Sequence, residues 1–558
     1  MKQAYNPYLP SFEYVPDGEP RVFEDRLYVF GSHDRYGADD FCLNDYVTWS
    51  APLDDLSDWR YEGVIYRADQ DPENPKRKAH MNAPDCVQGP DGRYYLYYNL
   101  HDKSFTSVAV ANKPQGPYEF YGHVHYPDGK KFGTVKGDPY NFDPGVLVDG
   151  DKVFLYTGFA PNREFPAAFA LFMKMSFGLC DDGYGVELES DMLTVKGNFV
   201  STVPGWKNAE GTLFEGHGFY EASSPRKIGN TYYLIYSSEL SHELCYATAE
   251  KPLGPFTYGG TIVSIGDIGL RGIQGKADAA NYTGNTHGGL VSVNGQWYVF
   301  YHRQTNQKKC NRQGCAEKVT ILADGSIPQV EVTSCGLNAG PLTGTGTYPA
   351  HIACNLWCKE DSFDYGAFTK GDHFGHPYFT QEGGDVDAGE LLSLKTASDV
   401  ELEEQSPLET AGKAGNSEAE RKAPLQYIAN MKDGAVAGFK YFDFEKAAPH
   451  RIALKLRGQA DGIMEVFSDA ACENRLAGIP VLSVAAGATA GSKASSGKAS
   501  SGNASDGNAS DGKASGVKAD NPDWEYYDGE FSSPVGVSPL YFRYSGKGAV
   551  DFSSFTLE

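Results

Sequence analysis

Three absences narrow the field. No window approaches the ~18 consecutive apolar residues that span a bilayer, and the opening MKQAYNPYLP has one lysine with no apolar stretch behind it. A leader peptide needs that stretch, so the expectation is a chain that keeps to the cytoplasm and has no membrane partner. No run of Lys and Arg occurs either: 49 basic residues stand against 73 acidic ones, for a net charge of -24. That sign disfavours nucleic acid as a partner. Finally, there is no GxSxG elbow, no phosphate-cradling loop, no HExxH and no dinucleotide fingerprint, which removes several common enzyme classes.

Paired cysteines are also scarce. The ten are scattered, and only Cys310 with Cys315 and Cys354 with Cys358 lie close together, without a CxxC motif or a second pair at zinc-site spacing. Buried thiols are expected, not a disulfide framework. Long amphipathic helices are hard to find. What the chain has in abundance is 64 Gly, 36 Tyr and 31 Phe, a composition suited to short twisted strands joined by glycine turns.

An internal repeat organises those strands. Five segments carry a short apolar strand, a turn rich in Gly, Asp or Asn, and an aromatic strand. They are EPRVFEDRLYVFGSHD from Glu19, APDCVQGPDGRYYLYYNL from Ala83, FDPGVLVDGDKVFLYTGFA from Phe142, YEASSPRKIGNTYYLIYSS from Tyr220 and THGGLVSVNGQWYVFYHRQ from Thr286. Each reads as a β-hairpin, and five such units predict an all-β fold, a five-bladed β-propeller over residues 1–340. The first strand of each blade lines the central channel, so residues at its start converge. Glu19, Asp85, Asp143 and Glu221 open four repeats and His287 opens the fifth. Like charges gathered on one axis cannot all ionise without compensation, whether a proton, a metal, a polar ligand or the nearby Arg21 and Arg226. Paired carboxyl groups of unequal acidity are the apparatus of glycosidic bond hydrolysis.

FDPGVLVDGDKVFLYTG, FYEASSPRKIGNTYYLIYS and NTHGGLVSVNGQWYVFYHR resemble the corresponding motifs of the family 43 glycoside hydrolases, over about residues 5–340. The resemblance implies a five-bladed propeller that hydrolyses O-glycosidic bonds with inversion, acting on arabinose- or xylose-containing oligosaccharides or polysaccharides. It casts Glu221 as general acid and Asp143 as the residue that raises its pKa. It also implies substrate contacts from Asp85, His287 and Arg303, with no required cofactor and, in many relatives, a calcium ion or water near His287. The general base departs from the family's ADP pattern, because the text is VPDGEP. Register on the proline selects Glu19 and is favoured; residue type selects Asp17. An exo-acting α-L-arabinofuranosidase is the expected activity. β-Xylosidase or galactofuranosidase activity and a non-catalytic sugar-binding propeller are the alternatives.

From residue 341 the repeat stops, and RIALKLRG, GIMEVFSD and VGVSPLYFRYSGKGAVDFSSFTLE predict a β-sandwich over 341–558. Its last stretch resembles the end of family 6 carbohydrate-binding modules, jelly rolls that often follow this catalytic domain. Trp524, Tyr526 and Tyr527 could stack on sugar there, though packing explains them as well. The polar stretch 397–424 and the KASSG-type repeat within 484–520 cannot bury apolar surface and are expected to lie outside the packed core.

Overall fold

The computed structural model describes residues 3–163, 165–358, 376–393, 423–482 and 523–558. Four sheets of four antiparallel strands and one of three form five blades. Blade I holds β1 (Glu19–Phe23), β2 (Arg26–Phe30), β3 (Tyr46–Pro52) and β4 (Arg60–Tyr66); blade II holds β5 (Asp85–Gln88), β6 (Tyr94–Asn99), β7 (Thr106–Ala111) and β8 (Glu119–His123). Blade III comprises β9 (Gly145–Asp149), β10 (Lys152–Thr157), β11 (Asp182–Leu188) and β12 (Val195–Pro204). Blade IV comprises β13 (Phe219–Ile228), β14 (Thr231–Ser238), β15 (Glu243–Ala249) and β16 (Thr257–Ser264); blade V has β17 (Leu290–Val293), β18 (Gln296–Thr305) and β19 (Lys308–Val319). Each repeat seen in the sequence is therefore the inner hairpin of one blade. The inner strands touch in turn, β17 against β1, β1 against β5, β5 against β9 and β9 against β13.

Alternation explains why these segments become strands. The second strand of each blade is buried on both faces, and in β6 Tyr94, Tyr95, Tyr97 and Tyr98 are at most 4% exposed. Their rings fill the clefts on either side of blade II. Asn294 and Gly295 join β17 to β18 with φ of 51° and 85°, the positive pair that a tight two-residue hairpin turn requires. The three-stranded fifth blade is closed by the N-terminal segment. The Asn6 side chain accepts from the Ala316 N–H at 2.9 Å and donates to the Ala316 carbonyl at 2.9 Å, so it acts as a surrogate strand residue beside β19.

Three α-helices interrupt the strands among the described residues, two of them short, Trp206–Ala209 and Ala388–Ser393. Between β10 and β11 the segment Ala167–Phe177 forms a helix, α1. No helix among the described residues is long and apolar enough to cross a membrane.

The C-terminal region is rich in sheet. The strand Val537–Leu557 pairs through its first half with Val436–Asp443 and Ala460–Phe467, and through its second half with Gln426–Lys432 and Arg451–Arg457. It thus belongs to two sheets that close on one apolar cluster containing Phe439, Phe542, Phe552 and Phe555. Trp524 stacks on the Arg457 guanidinium at 4.3 Å, Tyr526 is 61% exposed, and the Tyr527 hydroxyl donates to Glu525 at 2.7 Å. All ten cysteines are free thiols, seven of them buried. The insertion 484–520 and nearly all of the polar stretch 397–424 lie outside the described residues.

Candidate active site

Acids at the mouth of the channel occupy two layers, and the backbone decides which layer each enters. Asp17 lies two residues before β1 and Asp143 two before β9, and both hold a positive φ, 56° and 46°. That left-handed turn is uncomfortable for a side-chain-bearing residue and is retained where the surroundings over-determine it, commonly at functional sites. Glu221 reaches the same level by another device. β13 shifts register against β14 on both sides of Glu221, and Ala222 takes a φ of 70°; such bulges re-aim a side chain. The strands carrying Asp143 and Glu221 also approach unusually closely. A Cβ on Gly145 would sit 2.1 Å from the Ser223 carbonyl oxygen, so only glycine lets blades III and IV meet there.

Asp17, Asp143 and Glu221 line one cavity of about 490 Å³, together with Asn285 and Arg312 from blade V. Their charge states differ for visible reasons. Burial, and after it the charge of Asp143, push the Glu221 carboxyl up to about 8, so it holds its proton at neutral pH. Asp143 is itself raised by burial, against the pull of His287, whose Nδ1 lies 3.5 Å from Asp143 Oδ2. Asp17 goes the other way: burial would raise it, but the Arg312 guanidinium, donating from Nη1 at 2.9 Å, outweighs burial and holds the carboxylate well below its usual range. Arg312 is fixed in turn by Asp34, which accepts from Nε at 2.9 Å and Nη2 at 3.0 Å. His302 Nδ1 faces the Asp17 N–H at 3.3 Å and its Nε2 faces the Asn285 carbonyl at 2.8 Å. Nδ1 lies at the same 3.3 Å from Asp17 Oδ1, and burial lowers the His302 pKa. The cavity thus joins a protonated carboxyl group and a fixed carboxylate, the complement that acid–base cleavage of a glycosidic bond needs.

Glu19 and Asp85 do not line this cavity. They open β1 and β5 one layer deeper. Arg226 donates to Glu19 at 2.7 Å and Ser224 at 3.1 Å, while Arg21 grips Asp85 through both carboxylate oxygens at 2.6 Å. Burial would raise Glu19, but Arg226, His287 and Arg21 hold it down at about 2. Arg303, read as a substrate contact, does not line the cavity either: it donates to the carbonyls of Ala353 and His351 at 3.0 and 2.8 Å, and its guanidinium lies 3.8 Å from the Phe379 ring centre. It ties β18 to the C-terminal region.

His287 is 4% exposed and lies between the layers, with Nε2 3.8 Å from Glu19 and Nδ1 3.5 Å from Asp143. Those two carboxylates hold its pKa well above the ordinary range against the cost of burial. The ring is a cation in its own right. A protonated imidazole between Asp143 and Glu19, the latter already paired with Arg226, is a poor match for calcium, which takes six to eight oxygen ligands.

Arg312, Asp34 and His302 were missed as site residues by sequence reasoning. Their partners lie far off in sequence, as with Asp17 and Arg312, and only the closure of blade V onto blade I brings them together. The one available signal was the polar text GSHD and CNRQG at the ends of two otherwise apolar hairpins. The phenylalanines of α1, which also line the cavity, gave no signal, because the helix is apolar on every side.

The chain is 43% identical over 558 residues to a xylosidase/arabinosidase from Thermoclostridium stercorarium, covering 100% of this chain and 99% of that one. It is 30% identical over 319 residues to xylosidase/arabinosidase 43A of Humicola insolens, covering 52% of this chain and 88% of that relative. A crystal structure of a family 43 arabinoxylan arabinofuranohydrolase from Bacillus subtilis aligns over 99% of this chain and 97% of its own, at 18% identity and a TM-score of 0.45. The model of the family described as glycosyl hydrolases family 43 matches residues 6–327. The chain belongs to glycosyl hydrolase family 43 and is a glycoside hydrolase.

Proposed function

We propose that the protein is an inverting, exo-acting glycosidase that releases terminal arabinofuranosyl residues from plant cell-wall oligosaccharides or polysaccharides, and that terminal xylosyl residues are a second substrate. The observation that carries the mechanism is one cavity shared by a carboxyl group held protonated and a carboxylate held ionised. Glu221 donates its proton to the glycosidic oxygen as the bond to the anomeric carbon breaks. Asp17 takes a proton from the water that attacks the opposite face, and the product has inverted configuration. Asp143 keeps Glu221 protonated and oriented, and the Arg312–Asp34 pair keeps Asp17 ionised and immobile. Support for Asp17 over Glu19 as base is that it opens into the cavity while Glu19 is sealed beneath it. The sugar class is supported by the names of the relatives, two of which are xylosidase/arabinosidases at 43% and 30% identity.

A screen of nitrophenyl α-L-arabinofuranoside, β-D-xyloside and β-D-galactofuranoside, with proton NMR of the first anomer released, tests this reading. Turnover of the first two with an inverted product is expected, and Glu221→Gln should lower kcat/KM on natural oligosaccharides by about 10²- to 10⁴-fold, the usual worth of a positioned general acid. A retained anomer, or a Glu221→Gln variant of undiminished rate, overturns it.

A further inference from the structure

The cavity has two unlike walls. One holds Arg312, which contacts Asp17, and the cavity is also lined by Asn285 and Lys309, which can hydrogen-bond sugar hydroxyls. The flank of Glu221 is different. Helix α1 projects Phe169, Phe172 and Met173 into the cavity, Phe165 joins them from just before the helix and Phe177 from its last turn. The spacing from 165 through 169, 172 and 173 to 177 is one helical stripe. The Phe165 and Phe169 rings stack with centres 4.9 Å apart and planes inclined by 18°. Phe159 continues the wall to the neighbour of the acid, its ring centre 5.4 Å from that of Tyr220.

None of these phenylalanines can hydrogen-bond a hydroxyl, so the wall itself offers ring contact only, with Asn162, Tyr140 and Tyr220 as the polar groups beside it. The wall is also unfinished. Phe172 is 56% exposed although it lines the cavity, and of the helix only Met173 is buried. Apolar surface left open in a concave site marks where an apolar group belongs. Because Phe159 and Phe165 pack on Tyr220, the neighbour of the proton donor, that group lies on the leaving-group side of the cleaved bond.

We infer that α1 and Phe159 form a leaving-group subsite for a planar aromatic group, so that the enzyme favours glycosides whose aglycone is a phenol or carries a phenolic acyl ester. This rests on the reading of the cavity as a glycosidase site and names the substrate class on one side of it. Phe169 and Phe172 are its specificity determinants: the first presents a ring already stacked on one face, the second a ring open to the ligand.

The test uses the whole protein and two glycosides of one sugar, one aryl and one fluoroalkyl, with leaving groups matched in acidity so that intrinsic reactivity cancels. Wild type should favour the aryl glycoside in kcat/KM. Phe172→Ala, at an exposed position where folding is not at stake, should lower the aryl-to-alkyl ratio several-fold, and Phe169→Ala with Phe172→Ala together by about tenfold, the scale of losing two aromatic contacts. Phe172→Trp should restore the preference. A wild-type ratio near one, or a ratio that neither alanine variant moves, overturns the subsite. Saturation-transfer NMR with methyl 4-hydroxycinnamate gives a reading without turnover: its ring protons should receive saturation from wild type and lose it with the double variant. If neither glycoside is cleaved but saturation transfer behaves so, the hydrolase reading fails and the aromatic site stands; absent transfer to wild type sinks the site whatever the turnover.

Discussion

The floor of the channel and the cavity above it are both lined by acids at the starts of inner strands, and they do opposite things with them. On the floor, Glu19 and Asp85 each have an arginine in contact, Arg226 and Arg21, and the charges cancel locally. In the cavity, Asp143 and Glu221 share a site with no arginine between them, and Glu221 answers by keeping its proton, while Asp17 alone is given a guanidinium. The difference is two residues of register. Asp17-Gly18-Glu19, Ala83-Pro84-Asp85 and Asp143-Pro144-Gly145 are equivalent turns. Their first residue faces the cavity and their third opens the inner strand beneath it. Acids on the floor and acids open to the cavity are thus separated by depth, and only Asp143 and Glu221 lack an arginine in contact.

That contrast can be strained at the floor first. Arg226→Ala would take from Glu19, 1% exposed in its side chain, its nearest cation, leaving His287 at 3.8 Å and the more distant Arg21, and breaking such a buried pair costs about 3–5 kcal/mol. Denaturant unfolding should show a loss of that size, and Arg226→Met combined with Glu19→Gln should recover most of it. A loss below about 1 kcal/mol for the single variant would mean the floor is not held by this pair.

A smaller effect is expected one layer up. The proposed mechanism requires Glu221 protonated, so the rate should fall as pH rises through about 8, while Asp17, held ionised by Arg312, should set no limb in the neutral range. Asp143→Asn removes a negative charge, so Glu221 should lose its proton at lower pH and the alkaline limb should move down. Burial, the larger cause of the raised pKa, remains, so the limb should stay above the ordinary carboxylate range. A limb that does not move, or that moves up, would remove Asp143 from its role as modulator.

Much of the architecture was legible in the sequence because blades are local. Each inner hairpin is short, its alternation is visible in text such as RYYLYYNL, and its turn chemistry is explicit in VNGQ. Glu221 and Asp143 were legible for the same reason, since each belongs to a hairpin's own pattern. Asp17 was not separable from Glu19, because aligning on a proline fixes the strand and not the turn before it, and the cavity is reached from the turn. The Arg312–Asp17 contact spans 295 positions, and Arg303 read as a substrate contact until its carbonyl partners in the C-terminal region were in view. Helix α1 escaped because FPAAFALFMKMSF has no polar face, and periodicity reports a helix only when one face differs from the other.

The most direct test of the two-layer account is to measure kcat/KM for Asp17→Asn and Glu19→Gln side by side on a natural arabinosyl or xylosyl oligosaccharide, with folding of each checked by its unfolding transition. Loss of a general base should lower the Asp17→Asn rate by about 10²- to 10⁴-fold, with a stability loss eased by the Asp34 contacts that still hold Arg312, while Glu19→Gln should lose stability and keep its rate within about tenfold. The reverse pattern, a crippled Glu19→Gln enzyme and an active Asp17→Asn one, would contradict the account.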